Sequence, residues 1–315
     1  AQPATASATV PPYVASPIGH VLERTITPFT KLFSRTISFR QFCYFLTGAL
    51  WTLAIWAFFG GAIARIAAVR IGRNEREGMV DAMRVTARRY FAFFASPLFP
   101  LAGVVVVVAW SIPLGWLLLA DLGVVLASLV WLVVLLGGVV MAVILLGLAV
   151  GWPWMWGALA SEEMGDVFEA SQRCYSYTFG KPLHYLFYAL VALLFGAAGW
   201  LLVYYFAVSV VMLSDWAVSW GAGNARLAEI AQAETGMVGA GNTVIRLSQG
   251  LVYTVASAFR YSFFWCAVAV IYLLLRRNVD HTELDDVFVE DEPQRYGLPA
   301  LSKDAAGVPG VENET

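Results

Sequence analysis

Charged side chains divide this chain into long uncharged runs. No Asp, Glu, Lys or Arg occurs from Gln41 to Ala64, Tyr90 to Ala120, Leu122 to Ser161 or Pro182 to Ser214. Between Leu247 and Leu275 the only charge is Arg260. A helix needs about 20 apolar residues to cross a hydrocarbon core. The runs therefore predict five membrane-spanning helices, near 43–66, 97–119, 122–149, 184–212 and 251–275. Pro97 and Pro100 fit the first turn of the second helix, where proline is tolerated. Pro113 falls inside it and predicts a kink. Asp121 marks a tight turn before the third. The run Trp152-Pro153-Trp154-Met155-Trp156 reads as an aromatic belt at the water interface.

Polar positions recur with a period that the apolar runs hide. Shifting the chain by 85 residues lays Glu77–Leu101 on Glu162–Leu186. Nine pairs are then identical: Glu77/Glu162, Met79/Met164, Asp81/Asp166, Arg88/Arg173, Tyr90/Tyr175, Phe94/Phe179, Pro97/Pro182, Leu98/Leu183 and Leu101/Leu186. In each copy apolar residues at helical spacing oppose a charged face, and a Pro-Leu pair then leads into a span. The unit is an amphipathic interfacial helix followed by a membrane helix, with Ser161 as the N-cap of the second copy. Equivalent interfacial helices belong on one side, which requires an even number of crossings between them. This fits one crossing, not two, in the block from Leu122 to Ser161. The predicted fold class is an all-α polytopic bundle of about five transmembrane helices with two duplicated amphipathic interfacial helices.

Composition and charge then set class and orientation. Of the 315 residues, 59% are hydrophobic and only 13% charged, about half the charge of a soluble domain. Net charge is -2, which gives no reason to expect nucleic acid. Thirteen Lys and Arg fall in the first and third loops and the C-terminal segment, against six on the other side. The positive-inside rule places segments 69–89 and 159–181 in the cytoplasm, the N-terminus outside and the C-terminus inside. Arg24, Lys31, Arg35 and Arg40 count against that orientation. Residues 1–40 form an N-terminal segment whose first 18 residues, rich in Pro, Ala and Ser, are expected to be disordered. Residues 41–277 form the transmembrane domain, and 278–315 an acidic tail. The sequence starts at Ala1, which leaves room for an upstream segment, and no signal peptide is visible.

Few residues suggest chemistry. Cys43, Cys174 and Cys266 are odd in number and lack metal spacing. His20, His184 and His281 are scattered, and no catalytic or cofactor-binding set is expected. Gly221-Ala222-Gly223-Asn224 recurs at Gly239-Ala240-Gly241-Asn242. A phosphate-cradling loop needs a strand before it, so hinges around a short helix are expected. Arg260, 16 residues before Arg276, lies about 24 Å along the helix from it. It fits either snorkelling near the outer face or contact with a substrate or lipid headgroup. Arg73, Arg76, Arg84, Arg88 and Arg89, with Arg173 in the second copy, are candidate contacts for anionic lipid or an acidic partner.

The tail suggests an intramolecular contact. Asp280, Glu283, Asp285, Asp286, Glu290, Asp291 and Glu292 face no Lys or Arg within 280–292, while the first loop carries a formal +4. Thr282 fits the N-cap of a short helix, and Leu284, Val287 and Phe288 offer an apolar contact. Exposed ion pairs contribute only about 0–1 kcal/mol each, so Phe288 is the expected anchor of the tail on the first loop. A basic partner could use the same surface.

The segments "GGAIARIAAVRIGRNEREGMVDAMRVTARRYFAFFASPLFP", "SYTFGKPLHYLFYALVALLFG" and "IYLLLRRNVDHTELDDVFVED" resemble a family of uncharacterised multi-pass bacterial membrane proteins. The duplicated unit is also similar in architecture to membrane domains that accompany glycerophosphodiester phosphodiesterases. No soluble phosphodiesterase domain is present, so no catalytic residue transfers. The resemblance implies a bacterial inner-membrane location. The expected function is a non-enzymatic integral membrane protein, a scaffold or accessory subunit, whose expected partners are membrane lipids and a protein met through the acidic tail or the arginine-rich loop. The alternative is a small transporter or lipid-handling protein, since parallel repeats occur in transporters.

Overall fold

The computed structural model describes residues 38–162 and 165–289, plus a two-residue antiparallel pair, β1 (Ser302–Lys303) with β2 (Pro309–Gly310). The N-terminal segment up to residue 37, Met164 and the acidic residues Glu290, Asp291 and Glu292 lie outside the described residues. The rest is helical: α1 (Phe39–Gly72), α2 (Met79–Arg88), α3 (Tyr90–Ala95), α4 (Leu98–Leu117), α5 (Asp121–Leu129), α6 (Trp131–Ser161), α7 (Val167–Gly180), α8 (Pro182–Ala222), α9 (Asn224–Gln232) and α10 (Gly236–Val279). Among the described residues, five helices are long and apolar enough to cross a membrane: α1, α4, α6, α8 and α10. The chain is an all-α helical bundle of the kind an integral membrane protein forms.

Local chemistry sets the ends. Ser38 caps α1 by accepting from the Gln41 amide, while the Gln41 side chain returns the bond to the Ser38 amide. Asn74, in the left-handed region at φ 57°, helps turn the chain back after α1. The third predicted span is one helix by its lack of charge, yet it breaks at Val130. There the Ser128 hydroxyl takes the Val125 carbonyl, and the Val130 amide bonds back only three residues, to Ala127. That tightened turn separates α5 from α6. Ser161 does not cap α7. It ends α6, donating to the Gly157 carbonyl, and Asp166 caps α7 through the Glu169 amide at 2.7 Å. Nor is the second Gly-Ala-Gly-Asn segment a hinge. It lies inside α10, where Asn242 bonds the Ala231 and Ala233 carbonyls at the end of α9. The reversals around α9 fall instead at Gly223 and Gly236, whose φ of 78° and 73° suit glycine.

The core gathers where the ends of α1, α6 and α10 meet. Trp152, Trp154, Met155 and Trp156 are buried there, not displayed as a surface belt. Trp156 stacks on Trp265 at 4.6 Å and donates its indole N–H to the Phe93 carbonyl at 2.9 Å. Each such ring pair contributes about 0.5–1.5 kcal/mol beyond its buried area. Small residues on α1 permit the approach: a Cβ on Gly60 would meet Trp265 at 2.6 Å, and one on Gly61 the Thr86 methyl at 2.8 Å.

Away from this core the helices pair off. α4 packs on α6, and α8 runs antiparallel to α10. The latter pairing is pinned at Lys181 to Asn278, at Trp200 to Arg260 and at Asp215 to Gln249. The 41 and 44 residues of α8 and α10 give helices roughly 60 Å long, twice a hydrocarbon core.

Candidate functional site: the ionic end of the bundle

α1 and α6 end beside α10, and charges from three helix ends meet. Arg65, only 2% exposed, donates to Glu77 at 3.0 Å and to the Ala160 carbonyl at 2.9 Å. It thereby ties the end of α1 to the loop before α2 and to the end of α6. Arg89 reaches the Leu159 and Glu162 carbonyls, capping α6 from outside. The orphan carbonyls of a helix end favour such cations.

A second cluster surrounds Glu162, just past α6 and 9% exposed. Its carboxylate pairs with Arg173 at 2.8 Å, lies 3.8 Å from Arg276, and accepts from the Tyr272 hydroxyl. Arg173 also holds Glu169 at 2.7 Å and Asp280 at 3.3 Å, and Tyr177 donates to Asp280. Burial raises the Glu162 carboxyl above its ordinary value, against the opposing pull of Tyr272, Arg173 and Arg276. Burial also pushes the Cys174 thiol up to about 12, which leaves it a protonated packing residue.

The tail closes over both clusters. His281, at φ 55°, reverses the chain after α10. The segment that follows is a turn at Leu284–Asp285, not the expected short helix. Arg276 holds the Asp286 carboxylate at 2.8 Å, Arg73 the Val287 carbonyl at 3.3 Å, and the Phe288 amide donates to the Ser161 carbonyl at 2.9 Å. Val287 sits on bare Gly72, where a Cβ would come within 2.6 Å of it. The Phe288 ring lies 5.9 Å from the Arg65 guanidinium and 5.3 Å from that of Arg89. Backbone capture at 286–288 satisfies the polar groups, so no helix is needed.

The structure thus sorts the arginines singled out by sequence. Arg73, Arg89 and Phe288 come together, with Arg173 in the adjoining cluster. Arg76, Arg84 and Arg88 are exposed on the outer side of the first loop and α2. Arg260 stands apart. It is buried, its guanidinium 4.5 Å from the Trp200 ring and 3.4 Å from Ser257 Oγ, so its head packs on α8 and does not snorkel away. Sequence reasoning missed Arg65, Glu162 and Arg276 as the hubs. Glu162 carried one signal, its identity with Glu77, because each matched glutamate is held by a buried or half-buried arginine.

Other matched positions make similar contacts. The Tyr90 hydroxyl donates to the Ala54 carbonyl of α1, and that of Tyr175 to the Ile144 carbonyl of α6. Tyr90 stacks on Phe94 at 6.2 Å and Tyr175 on Phe179 at 6.1 Å. Thr86 and Ser171 are both buried and bond the carbonyl four residues back.

No family model matches this chain, and neither the curated proteins nor the solved structures contain a match to it.

Proposed function

We propose that this chain is a non-enzymatic integral membrane protein acting as a scaffold or accessory subunit, built on a duplicated unit of amphipathic helix plus span. The observation that carries the reading is the closed ionic network. Arg65, Arg173 and Arg276 each hold two or more partners within the chain, and these join three helix ends and the tail into one rigid platform. Such a network suits holding a geometry more than turning over a substrate. The apolar outer faces of α4, α6 and α8 remain for lipid or for neighbouring helices. The proposed setting is a bacterial inner membrane, N-terminus outside, which the charge asymmetry supports.

Two experiments test this. In-cell crosslinking followed by mild detergent extraction should yield a complex of fixed stoichiometry. Isolation of the chain alone, together with solute flux after reconstitution, would instead favour a transporter. Cysteine accessibility in intact cells should label segments 69–89 and 159–181 from the cytoplasmic side only. Labelling from opposite sides would overturn the topology.

A further inference from the structure

We propose that the outward face of α2 binds the anionic phospholipid headgroups of the adjoining leaflet. The proposal rests on the membrane setting and not on the scaffold role. α2 has two faces. Ala82, Val85 and Thr86 are buried, and the Thr86 methyl packs on Gly61, where a Cβ would come within 2.8 Å of it. Val80, Arg84, Ala87 and Arg88 recur at helical spacing on the opposite side, Phe91 follows at the start of α3, and all five are exposed. Val80 is 68% and Phe91 76% exposed, with two guanidiniums between them. Water leaves the exposed apolar pair beside these two cations without cover. A leaflet serves both, placing Phe91 and Val80 at the acyl boundary and the guanidiniums among phosphates.

The chain fixes the depth. α4 opens at Leu98, seven residues after Phe91, and the intervening chain is largely helical, so about 10 Å separates the two along the axis. Phe91 therefore lies within one headgroup layer of the apolar start of α4. Arg76 and Arg70, both exposed, extend the cationic face toward the end of α1. The carboxylate nearest Arg84 is Asp81, at 3.2 Å, in a pair exposed on both sides. Such pairs are weak, and a phosphate can displace this one. The matched positions on α7 are Glu169, Arg173 and Ser176, with Arg173 turned inward to Glu162. The second copy therefore lacks the cationic-aromatic face, and the surface belongs to the first.

Native mass spectrometry of the full chain in detergent tests this, with phosphatidylglycerol and phosphatidylethanolamine of matched acyl chains. Phosphatidylglycerol should be retained preferentially. R84Q/R88Q should weaken retention at least tenfold, since each surface arginine contributes about 1 kcal/mol, or roughly fivefold. R84K/R88K should retain the lipid, and R226Q/R246Q, on the opposite side of the proposed topology, should leave it unchanged. Equal retention by wild type and R84Q/R88Q would overturn the proposal. So would an equal loss in R226Q/R246Q, or displacement of the lipid by millimolar inorganic phosphate. A lipid preference without a protein partner would leave this surface standing while removing the scaffold reading.

Discussion

In the first of the matched segments Arg88 faces outward, while in the second its counterpart Arg173 reaches Glu162, Glu169 and Asp280. The difference begins at the next residue, where Arg89 matches Cys174. Cys174 is small and fully buried against Gly151, so α7 continues unbroken to Gly180. Arg89 is too long and too polar for such a notch. The helix breaks there, and the guanidinium crosses to the carbonyl end of α6. At this position the two matched segments part in structure. In the second, the small Cys174 sits in an unbroken α7 whose Arg173 reaches inward to Asp280. A long cation in the first staples α6 and leaves the neighbouring arginine on the outer face.

The largest expected effect comes from erasing that difference. Cys174→Arg places a guanidinium in a fully buried notch packed on Gly151, which should cost more than about 3 kcal/mol and abolish a monodisperse elution peak in detergent. Arg89→Cys should cost less, about 1–3 kcal/mol, because it removes bonds to carbonyls that water can replace in part. Thermal unfolding of the two variants side by side measures the asymmetry. If they prove equally damaging, the small-residue account of α7 fails.

The tail comes next. Phe288→Ala removes the ring between Arg65 and Arg89 and should loosen the strap by about 1–2 kcal/mol, read as faster proteolysis after residue 280. Each single charge change in 280–286 should speed cleavage less. Below that are the matched tyrosines. Tyr90→Phe and Tyr175→Phe each delete one hydroxyl bond to a preceding helix and should each cost about 1 kcal/mol in thermal unfolding. A large effect at only one of them would show that the two hydroxyls are not equivalent.

How much of this was legible in the sequence depends on the length scale. Gaps between charges find the five long helices because a hydrocarbon core excludes unpaired charge over a fixed distance. The 85-residue register finds the paired glutamates and tyrosines, and the acidic-apolar composition of 280–288 points to the first loop. What stays hidden requires knowing which helix ends converge. The tryptophans at 152–156 look like surface anchors because belts and cores share composition, and only the approach of α1 and α10 buries them. The sorting of arginines into inward and outward sets is hidden for the same reason. Arg65 reads as one more loop cation until Ala160 and Glu77 close around it. The break at Val130 turns on a single serine hydroxyl, too slight a signal within an apolar run.

The smallest expected effect concerns the glutamates themselves. Glu77 is held by Arg65 at 3.0 Å, whereas Glu162 lies among Arg173, Arg276 and Tyr272 at the meeting of α6, α7 and α10. Loss of water at Glu162 outweighs those partners, so its carboxyl stays above the ordinary value of 4.5. The folded state therefore favours the protonated form. That contribution is complete below the ordinary value and is lost as pH rises through the raised one. A rise of one pH unit in the folded-state value corresponds to about 1.4 kcal/mol. Glu162→Gln keeps the shape and cannot ionise, so it follows no such curve. Measured by thermal unfolding in detergent from acid to neutral pH, the stability of the wild type relative to Glu162→Gln should fall above pH 4.5. A gap that instead widens in favour of the wild type would mean that Arg173 and Arg276 outweigh burial, and that the ion pairs, not the loss of water, govern this end of the bundle.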